Sequence, residues 1–516
     1  MDDLVEAVQR SLADRTAREF DRRVAEQAEA MAADCESGLL DSPGFAAGME
    51  LEAYVVDEEG RLAAVPEAVF DLEGCDAELG LHNLEIHTPP DALDDAGLAR
   101  QAETIRSRVE RARERLGEEG RWLVLDGMWT VPPAAGTRAY LGATRERDGV
   151  VVAENMRTDA RYSALDNEVL RHAGGTIPLS VPGFEGAFPS ILVESLATSI
   201  QPHLQIPESA AFPTYFDLAL RTTGPVLALT TNSPFLPLDL YDLAGADDVD
   251  AAADLVETTY HELRVPVFEQ SINAGLAEAD RKVRFPRDVE TTTDVVRRLV
   301  ADETYAPFLA DDPGAEAATY RDRYPELAHK RGTYWRWLRA VVGGERVRGA
   351  AGDEASIRIE YRPIPTQPTA TDVVACQALV CGLVRGLDAA DHPLGTLPWE
   401  DARESFYAAV RDGLDADLAW VDADGARTSD PETVYDEVFT YARRGLGESG
   451  VAAARVDDLL APLEARWDAR TTPSQWKKAR VLAELDDGAD FEAAVTAMQR
   501  DYVERSLAYD SFAEWL

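Results

Sequence analysis

Apolar and polar residues alternate with a period of two in four short stretches of the chain, and each stretch gathers its ionisable side chains on one face. Successive side chains point to opposite faces of a strand. In Met49-Glu50-Leu51-Glu52-Ala53-Tyr54-Val55, Glu50 and Glu52 share a face while Met49, Leu51 and Ala53 share the other. In Leu84-Glu85-Ile86-His87, Glu85 and His87 oppose Leu84 and Ile86. In Ile200-Gln201-Pro202-His203-Leu204-Gln205-Ile206, Gln201, His203 and Gln205 oppose Ile200, Leu204 and Ile206. In Ile357-Arg358-Ile359-Glu360-Tyr361-Arg362, Arg358, Glu360 and Arg362 oppose Ile357, Ile359 and Tyr361. An antiparallel sheet often turns one charged face to water, and for any single stretch that reading is equally good. Four such stretches, with Glu in three of them, favour a shared charged floor. Carboxylates crowded on one floor repel unless cations neutralise them, and oxygen ligands suit a hard ion such as Mg²⁺ or Mn²⁺.

Elsewhere the spacing of apolar residues predicts helices. Residues 1–36 read as one amphipathic helix through Leu4, Val5, Val8, Leu12, Phe20 and Val24. Asp57-Glu58-Glu59-Gly60 is a turn that returns the chain along 61–65 as a hairpin partner. Thr88-Pro89-Pro90 is expected to end the second strand, a helix follows over 94–116, and 122–126 is a buried strand. Gly/Pro-rich loops are expected over 132–142 and 174–189. Helices are expected near 212–223, from the acidic stretch 244–254, and over 372–387 after a proline-loaded turn capped by threonine. The stretch 331–342 carries Tyr334, Trp335, Arg336, Trp337 and Arg339; it reads as an amphipathic helix docked on the core, with nucleotide stacking as the sharper alternative. Pro202 is awkward inside a central strand and calls for a bulge or an edge. Residues 401–516 read as helical apart from breaks near 422–430 and 470–474. The expected division is an N-terminal helix over 1–40, a core over 41–400 and a helical region over 401–516.

Composition narrows the function classes. The 516 residues hold 95 acidic and 51 basic side chains, for a net charge of −44. The only lysines are Lys282, Lys330, Lys477 and Lys478. Acidity dispersed along the chain, with lysine scarce, is expected of a protein that works at high salt, where screening removes self-repulsion. No basic stripe exists to neutralise phosphates, so neither nucleic acid nor an anionic membrane is an expected partner. Cys35, Cys75, Cys376 and Cys381 lack a clip spacing and read as free thiols in a reducing compartment. No secretory signal and no apolar stretch of membrane-spanning length is read, so the expectation is a cytoplasmic protein. Gly445-Leu446-Gly447-Glu448-Ser449-Gly450 fits G-x-G-x-x-G by letters, but it follows a helical stretch rather than a strand and reads as an interhelical turn. Neither a phosphate-binding Walker sequence, a zinc motif nor a serine-nucleophile motif is present.

Taken in order, these residues resemble the glutamate–cysteine ligase superfamily, in particular its prokaryotic carboxylate–amine ligase branch. Gly48-Met49-Glu50-Leu51-Glu52 is similar to the family's G-x-E-x-E strand, and Leu84-Glu85-Ile86-His87-Thr88-Pro89 to its L-E-x-x-T-P. Arg161-Tyr162, His203, Asn232-Ser233-Pro234 and Glu360-Tyr361-Arg362 resemble its later elements, and Thr471-Thr472-Pro473 resembles its tail. The resemblance runs over about 45–480. It implies an α+β fold in which a curved antiparallel sheet forms an open funnel surrounded by helices. It also implies ATP- and Mg²⁺- (or Mn²⁺-) dependent condensation of a side-chain carboxylate with an amine. Glu50, Glu52, Glu85, His203 and Glu360 would be metal ligands, with Glu50, Glu85 and Arg362 catalytic and Arg362 facing the transferring phosphoryl group. Arg161, Arg358, Gln201, Gln205 and Asn232 would contact nucleotide or substrate. Ser163 and Ala164 stand where the family is often basic, Pro202 precedes the histidine, and Arg358 adds a positive charge to the floor.

The chemistry agrees with the pattern. A carboxylate must be activated before an amine attacks it, and phosphoryl transfer needs charge neutralisation and alignment by metal ions and an arginine. The expected substrates are glutamate and cysteine, giving γ-glutamylcysteine through γ-glutamyl phosphate. A different amine acceptor, a phosphotransferase, and a non-catalytic nucleotide- or metal-binding homologue remain as alternatives.

Overall fold

The computed structural model describes residues 1–243, 249–310, 319–348 and 355–516. At its centre lies a seven-stranded sheet built from β1 (Ala46–Val56), β2 (Cys75–Ala77), β3 (Asn83–Ala92), β4 (Trp122–Val124), β5 (Ile200–Ile206), β6 (Leu338–Val342) and β7 (Ile357–Tyr361). The order is β6–β7–β5–β1–β3–β2, with β4 paired to the end of β1. Every pairing is antiparallel. The outer strands β6 and β2 do not meet, so the sheet is open and the expected α+β class holds.

Its apolar face makes the core. Leu51, Leu84, Ile86, Ile200, Leu204, Ile357 and Ile359 are all 2% exposed or less. They pack against helices Asp95–Gly117, Phe212–Thr230 and Ala370–Ala389. The last of these has the length and apolarity to cross a membrane, contrary to the reading that no stretch reaches that length. Protein surrounds it instead: 83% of its apolar window is buried. Against it lies helix Pro431–Glu448, and the two backbones approach where a Cβ on Gly445 would sit 1.9 Å from the Gly382 carbonyl oxygen. The glycine stretch expected as an interhelical turn is therefore helical through Glu448, and Gly445 serves close packing.

Several other expectations are corrected. Residues 1–36 form two helices, Asp2–Ser11 and Asp14–Ser37, and at the break Thr16 Oγ1 donates to the Arg10 carbonyl at 2.6 Å. β3 does not stop at its prolines. It carries one extra residue there, since Ala47 faces Asp91 while Met49 faces Thr88, and that bulge absorbs Pro89 and Pro90. The expected loop over 174–189 contains a hairpin, Ile177–Val181 with Phe184–Phe188, whose Ile177, Leu179 and Val181 are buried in alternation. The stretch 331–342 is not a helix: helix Pro325–Arg331 ends there and β6 follows. The helix expected from 244–254 is described from Val249 to Thr258, and 244–248 lie outside the described residues.

Other expectations hold. Residues 61–65 return as a hairpin partner, with Ala63 N–H donating to the Val55 carbonyl. Pro202 sits beyond the last β5–β7 pair, His203 with Glu360. Ile200 N–H points to that side, toward the Ile364 carbonyl, so the proline's missing donor falls where no strand pairs. All four cysteines are free and buried.

Candidate active site

Register turns the four alternating stretches into one surface. Glu50 stands opposite His87 on β3 and Gln201 on β5, and Glu52 opposite Glu85. Glu360 stands opposite His203 on one side and Arg339 on the other, and Arg358 opposite Gln205. Residues directly opposite on antiparallel strands share a face. That face is not left to water, since Gln201 is 2% and Glu360 1% exposed. Helix Ala160–Ala173, the 3-10 turn Ile191–Leu196, helix Arg264–Ile272 and residues 331–335 roof it. Asp166 fastens two of these, accepting from Ser190 Oγ at 2.9 Å and Ile191 N–H at 2.8 Å. Helix Asp14–Ser37 holds a third edge, where Arg23 pairs with Glu326 at 2.8 Å in the helix that ends on Arg331.

Two cavities open between floor and roof, and Glu50 and Glu85 wall both. The larger, about 430 Å³, is lined by His87, His203, Gln205, Arg321, Arg331 and Arg358 among others. The smaller, about 250 Å³, is lined by Glu52, Glu78, Glu194, Arg161, Tyr162, Gln201, Trp335, Arg339 and Arg362. In the larger, Arg331 and Arg358 donate to the Val342 and Gly343 carbonyls at 2.9 and 2.6 Å. Burial, reinforced by the neighbouring guanidiniums, pushes Arg331 down to about 9.

Charge decides what the floor can hold. Glu52 accepts from Ser199 N–H at 2.6 Å and from Gln201 Nε2 at 3.0 Å. Burial, then repulsion from Glu78, still pushes its carboxyl up to about 7. Burial raises Glu78, lifts Glu85 well above the carboxylate range with repulsion from Glu50, and pushes Glu194 up to about 8. Glu360 goes the other way. Burial would raise it, but Arg339 Nε and Nη2 donate to it at 3.1 and 2.8 Å and Arg362 Nη1 also donates, so it stays ionised below the usual range.

The donor set fits a cation. Glu50, His203 and Glu360 each offer a ligand atom within 4.8 Å of the others. His203 Nε2 is buried without a hydrogen-bond partner, 3.5 Å from Glu50 Oε1 and 3.9 Å from Glu360 Oε2. Burial lowers the His203 pKa and keeps the ring neutral, as ligation requires. Asp76, Glu85 and His87 form a second such group toward the outer strand β2.

The structure thus gathers Glu50, Glu52, Glu85, Gln201, His203, Gln205, Arg358, Arg362 and Arg161 around the double cleft, and ties Glu360 to it through Arg339, Arg362 and His203. It does not bring Asn232 there. Asn232 is fully buried: Nδ2 donates to the Thr366 carbonyl at 2.7 Å and lies 2.9 Å from Tyr502 Oη, beside the Lys477–Asp126 ion pair. Its place as a nucleotide or substrate contact is withdrawn, because it lines neither cavity and a core network takes its amide nitrogen. Sequence reasoning missed Glu78 and Glu194, which sit in a loop and a 3-10 turn where no periodicity marks them, and it placed Arg339 on a helix.

The chain with this open antiparallel sheet and double cleft is an ATP-dependent ligase of the class that joins a carboxylate to an amine. The chain belongs to glutamate-cysteine ligase family 2, whose family model matches residues 46–507. No curated protein matches it in sequence. Among solved structures it is similar to the glutamate–cysteine ligase of Francisella tularensis in complex with AMP, at 11% identity and TM-score 0.48 over 91% of this chain and 90% of that one. It is also similar to a bifunctional glutathione synthetase from Pasteurella multocida, at 13% identity and TM-score 0.47, over 93% of this chain and 55% of that one. A third is the complex of the prokaryotic ubiquitin-like protein Pup with its ligase PafA, at 11% identity and TM-score 0.37, over 92% and 75%.

Proposed function

We propose that this protein uses ATP to activate the side-chain carboxylate of glutamate and joins it to an amine, with cysteine as the leading acceptor. The observation that carries the reading is that Glu50, which walls both cavities, groups with His203 from the larger and with Glu360, to which Arg362 of the smaller donates. The larger cavity, with Arg321, Arg331 and Arg358, takes the nucleotide. The smaller takes the amino acid, with Arg161 and Arg362 facing its carboxylates. Glu50, His203 and Glu360 would hold one Mg²⁺ or Mn²⁺, and Glu52, Glu78 and Glu85 offer oxygens for another. A hard cation held by these oxygens and the His203 imidazole would supply neutralising charge for phosphate oxygens.

The protein's own groups do the rest. Glu360 stays ionised between Arg339 and Arg362, so Arg362 is fixed with its guanidinium plane toward the cleft. There it stabilises charge as the glutamate carboxylate attacks the terminal phosphoryl group, giving γ-glutamyl phosphate and ADP. The roof from Tyr162 to Trp335 keeps water from the acyl phosphate until the amine displaces phosphate.

The test is phosphate release from ATP and Mg²⁺ in concentrated KCl, with glutamate and a panel of amines, products identified by mass. Release that depends on both glutamate and cysteine, with a γ-glutamylcysteine mass, is expected. Release with another amine keeps the ligase and changes the acceptor. ATP binding without release under any acceptor would overturn the reading.

A further inference from the structure

A cavity of about 520 Å³ outside the charged sheet face is lined by Arg284, Arg287, Arg298, Arg336 and Tyr334. Its two most buried neighbouring carboxylates are already engaged. Asp302 is held by Lys282 and by Arg336 Nη2 at 2.7 Å, and Asp288 is held by Arg221. Three of the arginines have no such partner. Arg284 donates to the Ala279 carbonyl at 2.8 Å, Arg298 to the Arg287 carbonyl at 2.7 Å, and Arg287 lies 3.4 Å over the Trp399 ring. Among the described residues none of these three forms an ion pair with a carboxylate. Asp280 and Glu303 line the same cavity as exposed side chains. In a chain with 95 acidic and 51 basic residues, three guanidiniums that pair with no carboxylate although Asp280 and Glu303 line the same cavity leave donors free for an anion that enters.

We propose that this cavity is a non-catalytic binding site for small phosphate-bearing anions. Guanidinium forks match phosphate oxygens in pairs, and several converging forks favour a dianion over a single carboxylate. The site shares a wall with the catalytic cleft. Tyr334 and Arg336 line it, whereas Trp335 between them lines the smaller catalytic cavity. An anion seated on Arg284 and Arg336 therefore presses on the segment that carries Trp335.

The full chain is titrated with inorganic phosphate, and separately with glycerol phosphate, at fixed ionic strength in KCl without nucleotide. Intrinsic tryptophan fluorescence and thermal unfolding are followed, since Trp335 and Trp399 flank the site. A saturable fluorescence change with a rise in Tm is expected for inorganic phosphate. A matching response to the ester shows that the site also takes phosphate esters, and a response to inorganic phosphate alone confines it to the free ion. The Arg284→Gln/Arg287→Gln double variant should bind at least about tenfold more weakly. Arg284→Lys, which keeps the charge and loses the planar fork, should bind more weakly than the parent and more tightly than the double variant, and its parental Tm without phosphate serves as the folding control. Arg362→Gln, in the catalytic cleft, should bind as the parent does. Absence of saturable binding, or binding that the double variant keeps at parental affinity, would overturn the proposal.

Discussion

Replacing Arg362 by lysine separates charge from geometry at the centre of the proposed chemistry. Arg362 Nη1 donates to both Gln201 Oε1 and Glu360 Oε1. Lysine keeps the positive charge beside Glu360 but ends in one nitrogen on a flexible stem, so it cannot hold protein acceptors and a substrate oxygen in one plane. Stability should change little. Glu360 retains the two Arg339 donations at 3.1 and 2.8 Å, so no buried charge is left alone. The loss should be about 1–2 kcal/mol, short of the roughly 3–5 kcal/mol for breaking a buried pair outright. Turnover should fall far more. A positioned donor at developing charge is worth about 10²–10³ in kcat, or about 3–4 kcal/mol of barrier. Phosphate release measured against ATP and glutamate, beside urea unfolding, gives both quantities. A kcat loss with little change in KM for ATP is the expected result. A kcat within about threefold of the parent, or a loss carried wholly by KM, would remove Arg362 from the transition state.

Three further outcomes are expected. Glu85→Gln replaces a carboxyl that burial and the neighbouring Glu50, Glu78 and Glu52 already hold well above its usual range; it should cut Mg²⁺-dependent turnover by about 10²-fold or more while the Tm of the cation-free protein holds or rises, and a large drop in Tm would contradict the repulsion. Asn232→Ala should cost about 1–3 kcal/mol in denaturant unfolding and leave KM for ATP unchanged; a raised KM would return Asn232 to the site. Asp166 is pushed up to about 7 by burial, so its protonated form stabilises the fold at pH values below its unfolded pKa of 3.8 and that contribution is lost as pH rises through 7. Between pH 5 and 8 the parent should lose about 2–3 kcal/mol relative to Asp166→Asn in paired unfolding curves, and parallel pH profiles would refute the assignment.

The floor of the cleft was legible because strand alternation is a local rule. Glu50, Glu52, Glu85, His203 and Glu360 each sit two residues from a neighbour of the same face, and pairing only had to bring the strands together. The roof was not legible, because tertiary partners define it. Glu78 and Glu194 belong to no periodic stretch, and their burial comes from segments far away in sequence. Residues 334–337 carry aromatic and arginine side chains that suit a helix face or a strand equally; Arg336 settles the matter by donating to the Lys282 carbonyl and Asp302. Asn232 shows the opposite error. A short motif matched, but three letters cannot reveal that Thr366, Tyr502 and Lys477 close over them. At Gly445 the letters of a nucleotide-binding turn serve only to let two helices touch.

On the proposed assignment of nucleotide and amino acid to the two cavities, the two substrates cannot bind as strangers, because Glu50 and Glu85 belong to both. A positive ion drawn into either compartment relieves the same carboxylates for the other, so occupancy on one side changes affinity on the other. Thermodynamic reciprocity fixes the form of that coupling: the factor by which nucleotide sharpens amino-acid binding equals the factor by which amino acid sharpens nucleotide binding. On that assignment the shared wall acts as a coincidence detector, favouring the state in which both compartments are filled.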